Sequence, residues 1–152
     1  MDKAFKRAEG LLESWMKDHH DKDCYPPTII NITDGEYNGT SHDEMQQLAN
    51  QLKSMFTNDG NVLFFNIHVV PGHAESVVFP ATVDELNGNG YGGKLYNMSS
   101  LLPLNYNEQI RAIFGDKQTD IRYHAMGVNT GMERLVKMMK IGTLSSMLVN
   151  QN

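Results

Sequence analysis

The chain has 152 residues, of which 40% are hydrophobic and 20% are charged, and this length and composition suit one globular domain. Its 18 acidic and 13 basic side chains give a formal net charge of -5, which excludes the large basic surface of a nucleic-acid-binding protein. No apolar run approaches the roughly 20 residues of a membrane-spanning helix. Cys24 has no second cysteine to pair with. We therefore expect a soluble, cytoplasmic protein with no nucleic-acid or membrane partner.

The chain begins with a predicted helix and a predicted strand. Apolar residues recur at helical spacing over residues 2–18, which predicts an amphipathic helix. Two prolines, Pro26 and Pro27, then stiffen the approach to the short apolar segment TIINIT at residues 28–33. This segment predicts a strand.

A second helix and a second strand follow. Ser41 and Glu44 have the spacing of a capping box, which predicts a helix that starts there and ends near residues 58–60. Its expected buried face consists of Met45, Leu48, Ala49, Leu52 and Phe56. The apolar run NVLFFNIHVV at residues 61–70 is typical of a strand buried in a parallel sheet. Strand, helix and strand at this spacing predict a right-handed crossover.

The second half of the chain is less regular. Residues 76–93 mix a short apolar piece with a glycine-rich loop, and we expect a mobile excursion there. A helix is predicted at residues 105–114 and a third main strand at residues 121–129. Thr130 starts a last helix that Gly142 ends, with an expected apolar face of Met132, Leu135, Val136 and Met139. The alternation of helices and strands predicts an α/β fold.

Asp34 is the first candidate functional residue, because it follows the strand TIINIT and precedes a glycine. Ligands of open α/β sheets gather beyond the carboxyl ends of the strands, and a carboxylate there suits Mg²⁺ or Ca²⁺. One carboxylate falls far short of the roughly six ligands of such an ion. A second interpretation, in which Asp34 accepts backbone hydrogen bonds in a tight turn, therefore stays open. A phosphatase of the haloacid dehalogenase type is excluded, since Ile32 stands where the attacking aspartate would be.

The other polar residues give no catalytic set by spacing alone. His68 and His73 flank a Pro-Gly turn and lack the spacing of a helical metal pair. The glycines of residues 87–93 lack the lysine of a phosphate loop, so we interpret them as a flexible loop. A small hydrolase-like α/β enzyme is the alternative to a binding protein. It requires a pocket under this loop that joins Asp34, His68 or His73, and Cys24.

The segment PPTIINITDGE resembles the fourth strand of a bacterial von Willebrand factor type A domain, where an aspartate before glycine belongs to the metal-ion-dependent adhesion site. Residues 2–18 are similar to the preceding helix, and residues 122–143 to the closing strand and helix. The resemblance implies one Rossmann-like, three-layer α-β-α domain over residues 1–152, with residues 142–152 as a tail. It also implies a protein-binding or adhesion-type module without catalysis, which in its intact form uses Mg²⁺ or another divalent cation.

Asp34 is the only adhesion-site ligand of that family that this sequence matches. The family's Asp-x-Ser-x-Ser segment is missing, so the chain is similar to the carboxyl-terminal part of the domain without its first three strands. We expect the metal site to be incomplete and its affinity weak or absent. In the family's strand order, 3-2-1-4-5-6, the truncation leaves residues 28–34 as an exposed apolar edge. Such an edge predicts a homo-oligomer, or pairing with another protein through this strand.

Overall fold

The computed structural model describes residues 1–19, 22–34, 39–70, 75–88, 90–115 and 117–143. The helices are α1 (Asp2–His19), α2 (His42–Ser54), α3 (Gly90–Met98), α4 (Asn107–Phe114) and α5 (Met132–Gly142). The strands are β1 (Thr28–Thr33), β2 (Phe56–Thr57), β3 (Gly60–Asn61), β4 (Leu63–His68), β5 (Val77–Val78) and β6 (Met126–Val128). Short 3₁₀ turns lie at Val83–Leu86 and Leu104–Tyr106.

Parallel strands form the centre of the main sheet, whose strand order is β1-β4-β6-β5. The register of β1 and β4 runs from Thr28 opposite Leu63 to Thr33 opposite His68. β6 is parallel to β4 on its other side, and β5 is antiparallel to β6. β2 and β3 form a separate antiparallel hairpin. The predicted α/β class with a mostly parallel sheet is confirmed.

β4 is buried along its whole length because helices cover both faces of the sheet. Phe64 packs edge-to-face on Phe5 of α1, with ring centroids 5.0 Å apart, in a cluster that α2 and α3 complete. Phe65 points to the opposite face and lies 6.2 Å from Phe79, in the cluster to which α4 and α5 contribute. A strand covered on both faces has no side for polar residues, which explains the continuous apolar run.

The predicted starts of α1, α2 and α4 are close to those observed, and so are the lengths of α1 and α4. α1 covers the predicted residues 2–18, and α4 lies within residues 105–114. The capping box of α2 forms, with Glu44 N–H donating to Ser41 Oγ at 3.2 Å and Ser41 N–H donating to the Glu44 carboxylate at 2.9 Å. This backbone hydrogen bond lowers the pKa of Glu44. No helix in the described ranges is both long enough and apolar enough to cross a membrane.

The end of α2 corrects the prediction for Phe56. α2 ends at Ser54, because Met55 takes an extended conformation with φ -68° and ψ 143°. Phe56 lies in β2 with 71% of its surface exposed, and not on the buried face of the helix. Residues 58–59 therefore form the turn of a β-hairpin, whereas the sequence predicted a helix end near residues 58–60.

The glycine-rich segment at residues 87–93 is partly helical, which corrects the prediction of a flexible loop. α3 begins at Gly90, and its side chains Tyr91, Leu95 and Met98 are buried. Glycine has a low helix propensity, so the sequence alone argues against a helix. Burial of the apolar side chains outweighs this preference, as tertiary packing commonly does. Asn89 lies outside the described residues.

Of the predicted apolar face of the last helix, only Leu135 packs against the sheet. Met132, Val136 and Met139 are 74%, 56% and 43% exposed. The side facing the sheet consists of Leu135, Met138, Ile141 and Gly142. A Cβ atom at Gly142 would lie 2.9 Å from Phe65 Cε2 and 3.2 Å from Thr28 Cγ2. This close approach sets the rotation of α5 about its axis, because a larger residue would clash with the sheet.

The third parallel strand is shorter than predicted. β6 covers three residues of the predicted 121–129, preceded by an isolated bridge between Leu101 and His124. β6 does not extend along the first half of β4, and the chain after α3 lies beside this half instead. Phe64 N–H donates to Ser100 Oγ at 2.8 Å, and Ser100 N–H donates to the Phe64 carbonyl at 2.9 Å. Ser100 thus completes the sheet where β6 has not yet begun.

A buried amide network connects β1, β4 and α3. The side chain of Asn66 in β4 is fully buried. Asn31 Nδ2 donates to Asn66 Oδ1 at 2.8 Å. Asn66 Nδ2 in turn donates to the Leu95 carbonyl at 3.1 Å and to Ser99 Oγ at 3.0 Å. The network fixes the edge strand and the helix to the centre of the sheet.

We predict that Asn66→Ala lowers the free energy of unfolding by about 2 to 4 kcal/mol, because it leaves a cavity and removes the partner of buried polar groups. Urea unfolding followed by circular dichroism at one protein concentration measures this. Asn50→Ala, at an exposed position of α2, is the matched control and should change the free energy by less than about 0.5 kcal/mol. Equal effects of the two substitutions would contradict the role of the network.

Candidate functional site

Asp34 directly follows β1, and its side chain is exposed at the carboxyl end of the parallel strands. The ends of the three strands meet beside it. Val69 N–H donates to the Thr33 carbonyl at 2.8 Å, and Asn129 N–H donates to the His68 carbonyl at 2.9 Å. Asp34 therefore occupies the place where ligands of open α/β sheets gather.

His68 lies at the same end of the sheet but is a packing residue. It is buried, and its ring meets Tyr91 of α3 edge-to-face with centroids 5.3 Å apart. Its Nδ1 atom lies 3.4 Å from the Thr33 carbonyl oxygen. These packing contacts explain why a histidine lies at the end of a buried strand, and the explanation does not require a ligand.

The described side chains do not fit a complete divalent-cation site. Within the described ranges, no three His, Cys, Asp or Glu side chains are placed to hold a metal ion. Asp34 is a single carboxylate, and Mg²⁺ or Ca²⁺ takes roughly six oxygen ligands. Residues 35–38 and 71–74, which include His73, lie outside the described residues.

The residues that the enzyme alternative requires are not brought together in the described part of the chain. Cys24 precedes β1, with Sγ 4.0 Å from the His19 carbonyl, whereas Asp34 follows β1. Six strand residues separate the two ends by about 20 Å. Four surface clefts of about 360 to 520 Å³ are lined by none of Asp34, His68 and Cys24.

A cleft of about 490 Å³ at the amino-terminal end of β4 contains two groups with shifted pKa values. Burial lowers the pKa of Lys53, and burial together with the charge of Asp59 raises the pKa of Tyr106 to about 12. Lys53 Nζ donates to the carbonyls of Asn97 and Ser99, both at 3.3 Å. Both carbonyls belong to the carboxyl end of α3, where a cation is favourable. Lys53 thus stabilises a helix end.

His124 stacks on Tyr96 near that helix end. The ring centroids are 3.7 Å apart, and His124 Nδ1 lies 3.1 Å from the Tyr96 carbonyl oxygen. Burial lowers the pKa of His124; the Tyr96 carbonyl opposes this shift, and the charge of Lys53 adds to it. Burial, together with the charge of Glu85, raises the pKa of the Tyr96 hydroxyl. The fold therefore favours the neutral imidazole and the neutral phenol.

The shifted pKa of His124 predicts a loss of stability in mild acid. Its folded-state pKa lies below the unfolded value of about 6.5, so the unfolded chain binds the proton first as the pH falls. The stability is complete above this value and decreases below it. We predict that His124→Gln reduces this decrease, as measured by urea unfolding at pH about 7.5 and about 5.5. His42→Gln, at the first residue of α2, is the control. Identical pH dependence for wild type and His124→Gln would contradict the prediction.

β1 lies at an edge of the main sheet, where β4 is its one neighbour among the described strands. Its sequence TIINIT has no charged residue and no proline, and Ile32 is 56% exposed. Edge strands of monomeric proteins usually carry charges, prolines or bulges that prevent pairing with another chain. The predicted edge strand at residues 28–34 thus corresponds to β1 at an edge of the described sheet, and of these protections it has only the charge of Asp34 at its end.

Sequence reasoning missed a second exposed apolar surface, on α5. Its residues lie one above the other at i, i+4 and i+7 spacing, and they are Met132, Val136 and Met139. The sequence contains a signal for it, since α5 carries two overlapping apolar stripes and only one can face the sheet. The structure shows which of the two packs and which remains exposed.

Comparisons of the chain with models of known families, with characterised proteins and with solved structures find no match. The described part of the chain is an α/β fold with a mostly parallel sheet, in which the apolar strand β1 has no second neighbour among the described strands. The resemblance to the von Willebrand factor type A family stays a prediction.

Proposed function

We propose that the chain is a non-enzymatic protein-binding module of the von Willebrand factor type A class, which binds an extended partner segment along β1. The parallel order β1-β4-β6, the helices on both faces of the sheet and the position of Asp34 support this class. The Rossmann-like, three-layer architecture and the descent of Asp34 from an adhesion site belong to the proposal. The observation that carries it is the edge position of an uncharged, partly exposed β1.

The backbone of β1 can receive another strand. The N–H and C=O of one strand residue point to the same side, and successive residues alternate. The Thr33 carbonyl points toward the β4 side, where it accepts the Val69 N–H at 2.8 Å. By alternation, Thr28, Ile30 and Ile32 direct their N–H and C=O groups away from β4. Each of these three residues therefore directs one donor and one acceptor to the edge, where no described strand lies.

Strand addition also defines the chemistry of the partner segment. Main-chain hydrogen bonds give affinity in this mode of recognition, and alternate side chains give specificity. Ile32 presents an exposed apolar side chain, and β1 has no charge to pair. The partner is therefore an extended, uncharged segment with β-branched or aromatic residues and without proline.

We predict that wild-type protein selects such sequences from a library of short displayed peptides. Ile32→Lys should weaken binding of the selected peptides by about tenfold or more, because a lysine at an edge strand opposes pairing. Ile121→Lys, which changes another exposed isoleucine outside β1, is the matched control and should bind like wild type. Selection of charged or proline-rich peptides, or equal binding by Ile32→Lys, would contradict the proposal.

The metal part of the proposal has a separate test. Because Asp34 is the only carboxylate that matches the adhesion site, we predict that low millimolar Mg²⁺ gives no saturable heat in calorimetry and no thermal shift. Wild type and Asp34→Ala should respond alike. A saturable response of wild type that Asp34→Ala abolishes would overturn the expectation of an incomplete site.

A further inference from the structure

We propose that the segment bound at β1 is the β1 strand of a second copy of this chain, in antiparallel orientation, and that α5 supplies the rest of the interface. This inference rests on the proposed function, because it uses the same strand edge. It adds the identity of the partner and a second surface. That surface, the α5 flank, consists of Met132, Val136 and Met139.

The alternation of β1 selects one register for self-pairing. In an antiparallel pair, residues with outward N–H and C=O groups lie opposite each other and exchange two hydrogen bonds. Thr28, Ile30 and Ile32 are the outward residues of β1. Only a pairing centred on Ile30 uses all three, with Thr28 of one copy opposite Ile32 of the other. The two-fold axis then stands perpendicular to the sheet, because opposed residues share a face.

The α5 flank faces the same open edge as β1. On one side of α5, Arg134 Nη1 donates to Ser76 Oγ at 3.2 Å, next to β5 at the far edge of the sheet. At about 100° per residue, the α5 flank lies on the other side of the helix, toward β1. Thr28 and Ile30 belong to the face that α5 covers, and by alternation Ile32 does too. The α5 flank therefore lies on the side of the helix nearer to β1, on the same face of the sheet as Ile32.

A second copy can cover the part of β1 that α5 leaves exposed. α5 crosses the sheet obliquely: a Cβ at Gly127 in β6 would lie 2.9 Å from Met138 Sδ, and one at Gly142 would lie 3.2 Å from Thr28 Cγ2. The helix thus reaches β1 only at its carboxyl end and leaves Ile32 uncovered. In the antiparallel pair, Thr28 of the second copy and the helix end above it come opposite Ile32.

Charge and size agree with this arrangement. Glu133, at the amino end of α5, is paired with Lys137 at 2.6 Å, and Lys140 lies near the carboxyl end, so antiparallel α5 helices direct Lys140 of one copy toward the end of the other that carries Glu133. Parallel helices would bring like charges together. A specific interface needs roughly 800 Å² per partner, which one short strand does not provide. The α5 flank supplies additional apolar area.

Analytical ultracentrifugation from low to high micromolar concentration tests the proposal. Wild type should show a concentration-dependent monomer–dimer equilibrium. Ile32→Lys and Val136→Lys should each raise the dimer Kd by about tenfold or more. Val83→Lys, at an exposed valine in the turn Val83–Leu86, is the matched control and should leave the Kd unchanged. Circular dichroism and thermal midpoints verify that these variants, all at exposed positions, are folded.

Hydrogen exchange of single amides separates the outcomes. In the dimer, the amides of Ile30 and Ile32 gain protection as the concentration rises, while those of Ile29 and Asn31, which face β4, are protected throughout. A monomer with rapidly exchanging edge amides would overturn the second-copy inference and leave the peptide-binding proposal intact. A monomer with protected edge amides at every concentration would overturn both, because the chain's own residues would cover the edge. A dimer that Val136→Lys does not weaken would overturn the role of α5.

Discussion

The buried backbone of β4 is the constraint on which the other elements depend. A strand covered on both faces has no water to bond its N–H and C=O groups, so the protein must supply a partner for each. β1 does so along one side for the full length of the strand. On the other side, the hydrogen-bond partners are the short strand β6 and the backbone and hydroxyl groups of Ser100. Asn66 adds a side-chain connection, and with it α3 is drawn onto the sheet.

The sequence predicted the elements whose local pattern reports their burial directly. The apolar run of β4 and the Ser41 capping box are such patterns, and both were confirmed. The predictions were wrong where a distant contact decides. Helical spacing continues to Phe56, yet a hairpin takes that residue to the surface. The burial of Tyr91 overrides the glycines around it, and the contact of Gly142 with Phe65 rotates α5 away from the expected face.

The same division applies to the candidate site. The sequence predicts a strand and then a turn at Asp34, which places Asp34 at the carboxyl end of the strand. The structure has Asp34 at this position. Cys24 and Asp34 lie at opposite ends of β1, which follows from the predicted strand at residues 28–33. Spacing could not tell which other polar side chains the fold brings to either end, because that depends on how the later strands and helices pack. The α5 flank was predicted to be part of the core, because the sequence does not show which apolar stripe of a helix packs on the sheet. The exposed stripe of α5 could be assigned only once the packing of the helix on the sheet was known.

The alternation of β1 has a consequence for how this protein can change. Ile29 and Asn31 face the cluster of α1 and α3, and their backbone groups join β4, so they attach the strand to the fold. At Thr28 and Ile32 the side chains lie on the opposite face of the sheet and the backbone groups point away from β4. Side chains and backbone groups alternate along a strand with the same period. Ile32 is the outward residue of this six-residue strand that contributes least to the fold, since Ile30 packs against the core and Thr28 donates a hydrogen bond to the Gly142 carbonyl. Under the proposed function, a substitution at Ile32 would change the partner that the strand selects while the molecule keeps its stability, so specificity would evolve without passing through unfolded intermediates.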